Sequence, residues 1–423
     1  MDRLSSTLLA KEKQELRSIP PYFTKLLDVL KFTGARGELR SFTDSEWRQI
    51  LSHWSTVRLT LPLRHRFGDD LPDWVRGEID KNIADNTERY RRIKTDYLEI
   101  ANALQKAGIE HVVLKGFAQW PACMQGPHLR GQADIDLYFP PETVFSARDV
   151  VCSLGYAWHE DLELKFGDHL LPLEKQIDWQ WRGKHFDPDI PVSIELHFRF
   201  WNEATTHLRP MGLEQFWFRR IKRQFDGLVC PALDEGDALA YSALHALRHL
   251  LSRHLPPYHV YDIAWFLHSK ADDATFWKKR GELHHDSLRL LEAVAFRLAK
   301  EWFACRLPEE LEIEIRSLPA GVQRWFQEYA DSPLIALLRS NKDVLWLHLN
   351  LLDRRSDKRS ILWKSLLPAP RRHEKPVARW TMLNYSQYLI HAISRVPHHL
   401  RPLPRMLRHG FHRWWSTLLQ KNA

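Results

Sequence analysis

The chain has 423 residues, of which 44% are hydrophobic and 27% are charged. This composition is typical of a globular protein and excludes a fibrous or disordered one, and the length predicts two or three domains. The sequence contains no uncharged apolar run of the roughly 18 residues that a membrane span requires. Its beginning also lacks the continuous apolar run of a secretory signal. We therefore expect no transmembrane segment.

The four cysteines, Cys123, Cys152, Cys230 and Cys305, are scattered along the chain. They lack the close spacing of a zinc ribbon or a redox motif, and isolated thiols of this kind are typical of a reducing compartment. We therefore expect a cytoplasmic protein.

The basic charge of the chain is concentrated at its C-terminal end. The formal net charge is +8, yet residues 353–423 alone hold 15 Lys and Arg against 3 Asp and Glu, a local charge of +12. A basic segment with interspersed aromatic residues, such as Phe411, Trp414 and Trp415, can contact an anionic membrane surface or nucleic acid. The alternative that we favour is a solvated basic face whose rings pack on the body of the protein.

Residues 1–90 carry apolar side chains at helical spacing and predict an N-terminal helical region. One of its helices is expected to begin with a capping box, because Thr43 is followed three residues later by Glu46. Another helix is predicted over residues 93–104, whose apolar side chains share one face, and Gly108 stands where a C-terminal cap is expected.

Residues 91–232 mix short strands with helices and are predicted to form the core domain. Strands are expected at residues 112–114, 133–139, 156–160, 177–181 and 192–200, with helices at 117–125 and 142–154. The pattern is helical again over 233–352, and a basic segment occupies 353–423. The predicted fold class is α+β, with a small mixed sheet flanked by N-terminal and C-terminal helical regions.

Three acidic residues are predicted to share one face of two strands. Asp134 and Asp136 are separated by one residue, so their side chains project from the same side of a strand. Glu195 and His197 occupy one face of the later strand, where polar and apolar residues alternate. Three carboxylates in this arrangement suit Mg²⁺ or Mn²⁺ and a phosphate displacement. We predict that all three acids bind metal, although Glu195 can also act as a general base, and that His197 orients a neighbour or contacts the substrate.

Groups that attract phosphate lie close to these acids in the sequence. Lys115 and Gly116 end one strand, and the next helix is expected to present its N-terminus to an anion. Arg130 precedes Asp134 by four residues and can bind phosphate through two parallel hydrogen bonds. A salt bridge from Arg130 to Asp134 or Asp136 is an equal alternative. Lys115, Gly116 and Arg130 are therefore predicted substrate-binding residues.

Four short segments carry a family resemblance: Leu114-Lys115-Gly116, Leu129-Arg130-Gly131, and residues 133–137 and 194–197. Together they resemble the uncharacterised nucleotidyltransferase family found in bacteria, which belongs to the DNA polymerase beta-like nucleotidyltransferase superfamily. The resemblance extends more loosely to His245, His249 and Asp262. It implies an α+β nucleotidyltransferase core, acids that bind metal, and transfer of a nucleoside monophosphate from a nucleoside triphosphate such as ATP.

The chain departs from the wider superfamily at two places. There, a glycine and a serine lie on the turn that precedes the paired acids, whereas here Gly116 is followed by Phe117 and lies 18 positions before Asp134. With that serine missing, Lys115 and Arg130 are expected to take over phosphate binding. The third acid is a glutamate rather than the commoner aspartate, which changes its reach but not its charge.

Other functions stay open at this point. One alternative is a basic protein that binds nucleic acid or a membrane surface without catalysis, and another is a kinase-like phosphotransferase. His245 and His249 are four residues apart but lack the intervening glutamate of a zinc-protease motif. They are expected to line a pocket or the core. The acceptor of a nucleotidyl group can be a small molecule, a peptide, a protein or an RNA.

Overall fold

Helices dominate the computed structural model, which describes residues 19–33, 36–56, 58–119, 126–157, 167–175 and 177–366. Within these ranges, no helix has the length and apolar character needed to cross a bilayer. The α-helices of these ranges are α1 (Pro21–Leu30), α2 (Asp44–Thr56), α3 (Thr60–Phe67), α4 (Asp73–Lys106), α5 (Val144–Ser153), α6 (Glu203–Thr206), α7 (Gln215–Phe218), α8 (Glu235–Leu251), α9 (Pro257–Lys270), α10 (Ala274–Leu283), α11 (Asp286–Phe303), α12 (Glu309–Arg316), α13 (Ala320–Tyr329), α14 (Ser332–Leu338), α15 (Val344–Leu351) and α16 (Arg355–Leu366).

A mixed sheet lies at the centre of the described chain. Its strands are β1 (Val112–Val113), β2 (Asp134–Tyr138), β5 (Ser193–His197), β6 (Ile221–Phe225) and β7 (Leu228–Ala232), and a separate ribbon pairs β3 (Tyr156–Ala157) with β4 (Glu174–Lys175). The order across the sheet is β5-β2-β1-β7-β6. Strand β2 runs parallel to β5 and antiparallel to β1, and β7 runs parallel to β1. The predicted α+β fold with a small mixed sheet flanked by helices is confirmed.

Strands β2 and β5 have one apolar and one polar face because residue types alternate along both. Ile135, Leu137, Ile194 and Leu196 are fully buried, and they belong to a hydrophobic cluster that includes residues of α4 and α5. A second hydrophobic cluster joins the N-terminal helices to α8 and the helices that follow it. The acidic side chains of β2 and β5 therefore lie on the opposite, polar face of the sheet.

Two local predictions of the N-terminal half are confirmed. The backbone N–H of Glu46 donates to Thr43 Oγ1 at 3.3 Å, and the N–H of Thr43 donates to the Glu46 carboxylate at 2.8 Å, as in a capping box. Gly108 adopts a φ of +67°, and its N–H donates to the carbonyl of Gln105 at 3.0 Å. The long helix α4 thus ends where the sequence predicts.

Several other predicted elements differ in the structure. Residues 177–181 form no strand, and the strand that pairs with β3 is β4 (Glu174–Lys175). Of the helix predicted at 117–125, residues 117–119 belong to a short 3₁₀ helix at Gly116–Gln119. Residues 120–125 lie outside the described chain, as do residues 158–160 of the strand predicted at 156–160. The β6–β7 hairpin is absent from the prediction because its exposed strand has the sequence Ile-Lys-Arg-Gln-Phe, in which polar residues dominate.

Candidate active site

The three predicted acids meet on the polar face of β2 and β5. The parallel register places Asp136 directly opposite Glu195, and Asp134 lies two residues from Asp136 on the same face. The Asp136 side chain is 1% exposed, whereas those of Asp134 and Glu195 are 28% and 20% exposed. Asp136 therefore lies at the bottom of the site, with the other two acids closer to solvent.

Lys115 lies against both aspartates. Its Nζ is 3.1 Å from Asp134 Oδ2 and 3.3 Å from Asp136 Oδ1. Burial lowers the pKa of Lys115, but the charges of Asp134, Asp136 and Glu195 outweigh burial and raise it above its ordinary value. Lys115 therefore stays protonated and compensates the acids, so its ammonium is already engaged before any phosphate arrives.

His197 connects the two strands. Its Nε2 is 3.1 Å from Asp136 Oδ1 and 3.4 Å from Glu195 Oε2. Burial lowers the pKa of His197, but hydrogen bonds to both acids raise it to about 9. Burial acts to raise the pKa of Glu195, yet the hydrogen bond from His197 and the charge of Lys115 hold it below its ordinary value. Glu195 is therefore ionised, and His197 fixes both carboxylates.

The turn after β1 is shaped around one glutamine. Gly116 has a φ of +71°, and the N–H of the next residue, Phe117, donates to Gln132 Oε1 at 3.0 Å. The amide of Gln132 also donates to the carbonyl of Asp134 at 2.6 Å. Gln132 thus ties the turn to the start of β2, and it occupies the backbone N–H of Phe117.

Arg130 does not contact the paired aspartates as the salt-bridge alternative supposed. Its Nε donates to Asp262 Oδ2 on α9 at 2.7 Å, and its guanidinium lies 5.5 Å from the centre of the Tyr258 ring. Burial lowers the pKa of Arg130, but the charge of Asp262 outweighs this effect and raises it. The predicted salt bridge to Asp134 or Asp136 is therefore wrong, because a helix distant in sequence supplies the partner.

A narrow cleft opens beside Lys115, and its internal space of about 10 Å³ is enough for one water molecule. Its walls come from the turn after β1, the segment before β2, and helices α8 and α9. The residues that line it are Lys115, Gln119, Arg130, Tyr241, Ser242, His245, His259 and Asp262. Of the predicted substrate-binding residues, Lys115 and Arg130 line this cleft, and His245 lines it as expected of a pocket histidine.

The sequence of this core also matches a known family. A model of an uncharacterised nucleotidyltransferase family matches residues 44–304. The chain belongs to this family. No curated protein and no solved structure gives a significant match to the chain. The matched range contains the whole sheet, the three acids and helices α8 and α9.

The acids of this nucleotidyltransferase offer donor atoms that fit a divalent cation. Asp136, Glu195 and His197 each place one such atom within 4.8 Å of the others, and Asp134 lies outside this closer group with its carboxylate against Lys115. In the described chain, Asp136 Oδ2 is buried without a hydrogen-bond partner. A buried carboxylate oxygen without a partner is costly, and Mg²⁺ prefers carboxylate oxygens. The carboxylates of Asp136 and Glu195 therefore fit Mg²⁺ or Mn²⁺, whereas protonated His197 uses its Nε2–H to hold these acids.

Helix α4 positions the site through residues that sequence reasoning missed. The guanidinium of Arg89 is buried and donates to the carbonyls of Gln132 at 2.6 Å, Ala133 at 3.2 Å and Ile190 at 2.7 Å. Asn86, one turn earlier, donates to the carbonyl of Arg130 at 3.2 Å. Arg89 thus fixes the segments that lead into β2 and β5. The sequence does not single out Arg89, because Arg91 and Arg92 follow it on the same helix, and these two form ion pairs with Glu88 nearer the surface.

Gly116→Ala tests whether the turn depends on close contact with Gln132. A Cβ at this position would lie 2.4 Å from Gln132 Nε2 and 2.6 Å from its Oε1, so both hydrogen bonds of that amide would break. We expect a loss of about 2–4 kcal/mol in the free energy of unfolding, from the left-handed backbone and the displaced amide together. Urea denaturation measures it.

Gly183→Ala is the matched control for this substitution. Gly183 has a similar φ of +77°, but nothing lies within 4 Å of an added Cβ. The control therefore carries the backbone penalty alone, about 1–2 kcal/mol. Equal losses in the two variants would show that the contact between Gly116 and Gln132 does not matter.

Proposed function

We propose that the protein is a metal-dependent nucleotidyltransferase that moves a nucleoside monophosphate from a nucleoside triphosphate, with ATP among the candidates, to an acceptor hydroxyl or amine. The observation that carries this proposal is the set of three carboxylates, Asp134, Asp136 and Glu195, on one face of two paired strands, with a buried Asp136 oxygen lacking a protein partner. Membership of a nucleotidyltransferase family supports the same reaction class.

In this proposal Asp134, Asp136 and Glu195 hold Mg²⁺ or Mn²⁺. The bound metal would neutralise developing charge on the phosphoryl oxygens. Glu195 serves better as a ligand than as a general base, since a carboxylate whose pKa is held low accepts a proton poorly at neutral pH. His197 and Lys115 keep the carboxylates in one geometry, so their role is positioning and charge compensation.

The proposal assigns a role to each of the predicted domains. Residues 91–232 would form the catalytic unit, 1–90 and 233–352 the helical regions that enclose it, and 353–423 a basic segment suited to an anionic surface. We further propose a cytoplasmic location, because Cys152, Cys230 and Cys305 are free thiols in the structure. Cys123 and residues 367–423 lie outside the described chain.

The position of a radioactive label tests the reaction class. The protein is incubated with Mg²⁺ and a nucleoside triphosphate labelled at the α- or the γ-phosphate, in the presence of small-molecule, peptide, protein or RNA acceptors. We expect the α-label to enter an acceptor and pyrophosphate to be released, with EDTA as the control. Transfer of the γ-label would instead identify a kinase-like phosphotransferase.

A binding measurement separates the enzyme from the non-catalytic alternative. Titration of each nucleoside triphosphate with Mg²⁺ or Mn²⁺ into the folded protein should show saturable binding that EDTA weakens. Absence of binding for all four nucleotides, combined with tight binding to RNA or anionic vesicles, would support a basic surface-binding protein whose acids are structural.

A further inference from the structure

The ammonium group of Lys115 lies between the two aspartates of β2. Its Nζ is 3.1 Å from Asp134 Oδ2 and 3.3 Å from Asp136 Oδ1. The side chains of Lys115 and Asp136 are only 10% and 1% exposed, so solvent does little to compensate their charges. Lys115 therefore provides positive charge that these two acids need inside the protein.

This contact keeps Asp134 apart from the other two acids. Ligand atoms of Asp136, Glu195 and His197 lie within 4.8 Å of one another, and Asp134 does not belong to that group although it shares their face of the sheet. His197 is occupied in holding Asp136 and Glu195. Two carboxylates thus lie together while the third is drawn to Lys115. A metal that binds all three acids must therefore compete with the ammonium for the aspartates.

The competition has a clear physical basis. A divalent cation and an ammonium are attracted by the same carboxylate oxygens and repel each other at short range. The flexible four-carbon stem of Lys115 allows its ammonium to leave the aspartates without a movement of the backbone. Because Lys115 is buried, the released ammonium requires a new anionic partner, since a buried charge without one is costly. Phosphate oxygens are partners of this kind.

We propose that Lys115 is an exchangeable counterion that couples metal binding to triphosphate binding. In the free protein its ammonium holds Asp134 and Asp136. When metal and triphosphate enter together, the metal takes the carboxylates and the ammonium moves to the phosphate. Lys115 stays protonated throughout, so the exchange transfers no proton. This inference rests on the proposed function and adds to it that the metal enters with the triphosphate rather than before it.

Either ligand alone binds at a disadvantage in this scheme. The metal alone leaves the ammonium of Lys115 without an anionic partner, and the triphosphate alone meets three carboxylates at the site. Each ligand removes the obstacle that the other faces, so the two bind cooperatively. The compensating role of Lys115 in the free protein is thus the first half of its role in binding.

Titration of Mn²⁺ alone into the full chain tests the exchange. Free Mn²⁺ is counted by electron paramagnetic resonance at pH 7 without nucleotide. Lys115→Met removes the competing ammonium and should tighten Mn²⁺ binding about tenfold or more. Lys115→Gln retains a hydrogen-bond donor without the charge and should have the same effect. Lys115→Arg retains the charge and should bind Mn²⁺ as weakly as the parent protein.

Lys175→Met is the matched control. Lys175 also contacts two carboxylates, at 3.2 Å from Asp96 Oδ1 and 2.7 Å from Glu99 Oε2, but it lies on β4 of the separate ribbon. Its substitution should leave the Mn²⁺ affinity unchanged. Combining Asp136→Asn with Lys115→Met should abolish the gain in affinity, because the gained metal site then lacks one of its carboxylates.

A second titration follows the phosphate side of the exchange. Inorganic tripolyphosphate is added to the protein with Mn²⁺ in excess, so that the metal site is filled at the start. Lys115→Met should then bind tripolyphosphate about tenfold more weakly than the parent protein, because the phosphate loses a cationic partner. Tighter binding of the metal together with weaker binding of the phosphate is a result that a purely structural lysine would not give.

Stability is followed in parallel, since Lys115→Met leaves acids of the site without a cation. If this variant is destabilised, Mn²⁺ should raise its thermal unfolding temperature more than that of the parent protein, because the metal replaces the lost charge. Equal Mn²⁺ affinities in the parent, Lys115→Met and Lys115→Gln overturn the exchange, as does an equal gain in Lys175→Met. These measurements involve no catalysis. Loss of α-label transfer with the exchange intact therefore bears only on the proposed function.

Discussion

Asp136→Asn is expected to lower nucleotidyl transfer by about 10²–10³-fold or more, because it removes a fixed charge from the centre of the site. Asp136 is fully buried, accepts from His197 and contacts Lys115, and its second oxygen is the buried atom without a partner among the described residues. An asparagine keeps the shape but cannot offer a second anionic oxygen to a metal. Initial rates with an α-labelled nucleoside triphosphate at saturating Mg²⁺ measure the effect.

The same substitution also changes the balance of charge, so folding must be followed separately. Asp149→Asn is the matched control, since Asp149 lies on α5 and its side chain is 66% exposed. Thermal unfolding and circular dichroism report whether Asp136→Asn stays folded. Asp134→Asn, at a more exposed position of the same strand face, provides a second test with less risk to the fold. Full activity in both folded variants of β2 would exclude these acids from catalysis.

The arrangement of the acids follows from local rules and was therefore predictable from the sequence. Side chains two residues apart in a strand share a face, so Asp134 and Asp136 point to one side whatever the rest of the fold does. Alternation in β5 likewise placed Glu195 and His197 on its polar face. That these two strands are neighbours was assumed from the carboxylate set that a metal site requires, and the register that places Asp136 opposite Glu195 depends on the sheet order, which only the structure gives.

Contacts between segments that are distant in the sequence could not be predicted from these local rules. Arg130 stands four residues from Asp134, which suggested a local salt bridge, but its partner Asp262 is 132 positions away on α9. Arg89 donates to carbonyls that precede β2 and β5. Its position in the sequence pattern of α4 does not distinguish it from the more exposed arginines that follow it. Such partners depend on how helices pack on the sheet, and tertiary packing is not encoded in short-range patterns.

The turn after β1 lacks the serine expected from the superfamily resemblance, and the groups predicted to replace it are engaged with other parts of the protein. Sequence reasoning assigned the phosphate to Lys115 and Arg130, yet each of these cations is paired with acids of the site or of α9. The Phe117 N–H is also occupied, because it donates to Gln132. Lys115, Arg130 and the Phe117 N–H are therefore all engaged with protein groups in this structure.

Arg280→Met is expected to give the largest loss of stability, about 3–5 kcal/mol in the free energy of unfolding, because it removes the cation that Glu292 and Glu314 share in a buried network. Arg280 and Glu292 are 2% and 0% exposed, and Arg280 Nη2 lies 3.0 Å from Glu292 Oε2. Arg280 Nη1 is also 3.0 Å from Glu314 Oε2. Burial raises the pKa of Glu292, but the charges of Arg280 and His284 keep it below its ordinary value. Urea denaturation at pH 7 measures the loss.

Arg316→Met is the matched control, since it breaks an ion pair with Glu309 in which both side chains are mostly exposed. Exposed pairs of this kind contribute less than about 1 kcal/mol. A second variant, Arg280→Met with Glu292→Gln, should recover part of the lost stability, because a neutral amide removes the buried charge that the single variant leaves behind. Equal losses for Arg280→Met and Arg316→Met, or no recovery in the double variant, would mean that the buried network contributes through packing rather than through charge compensation.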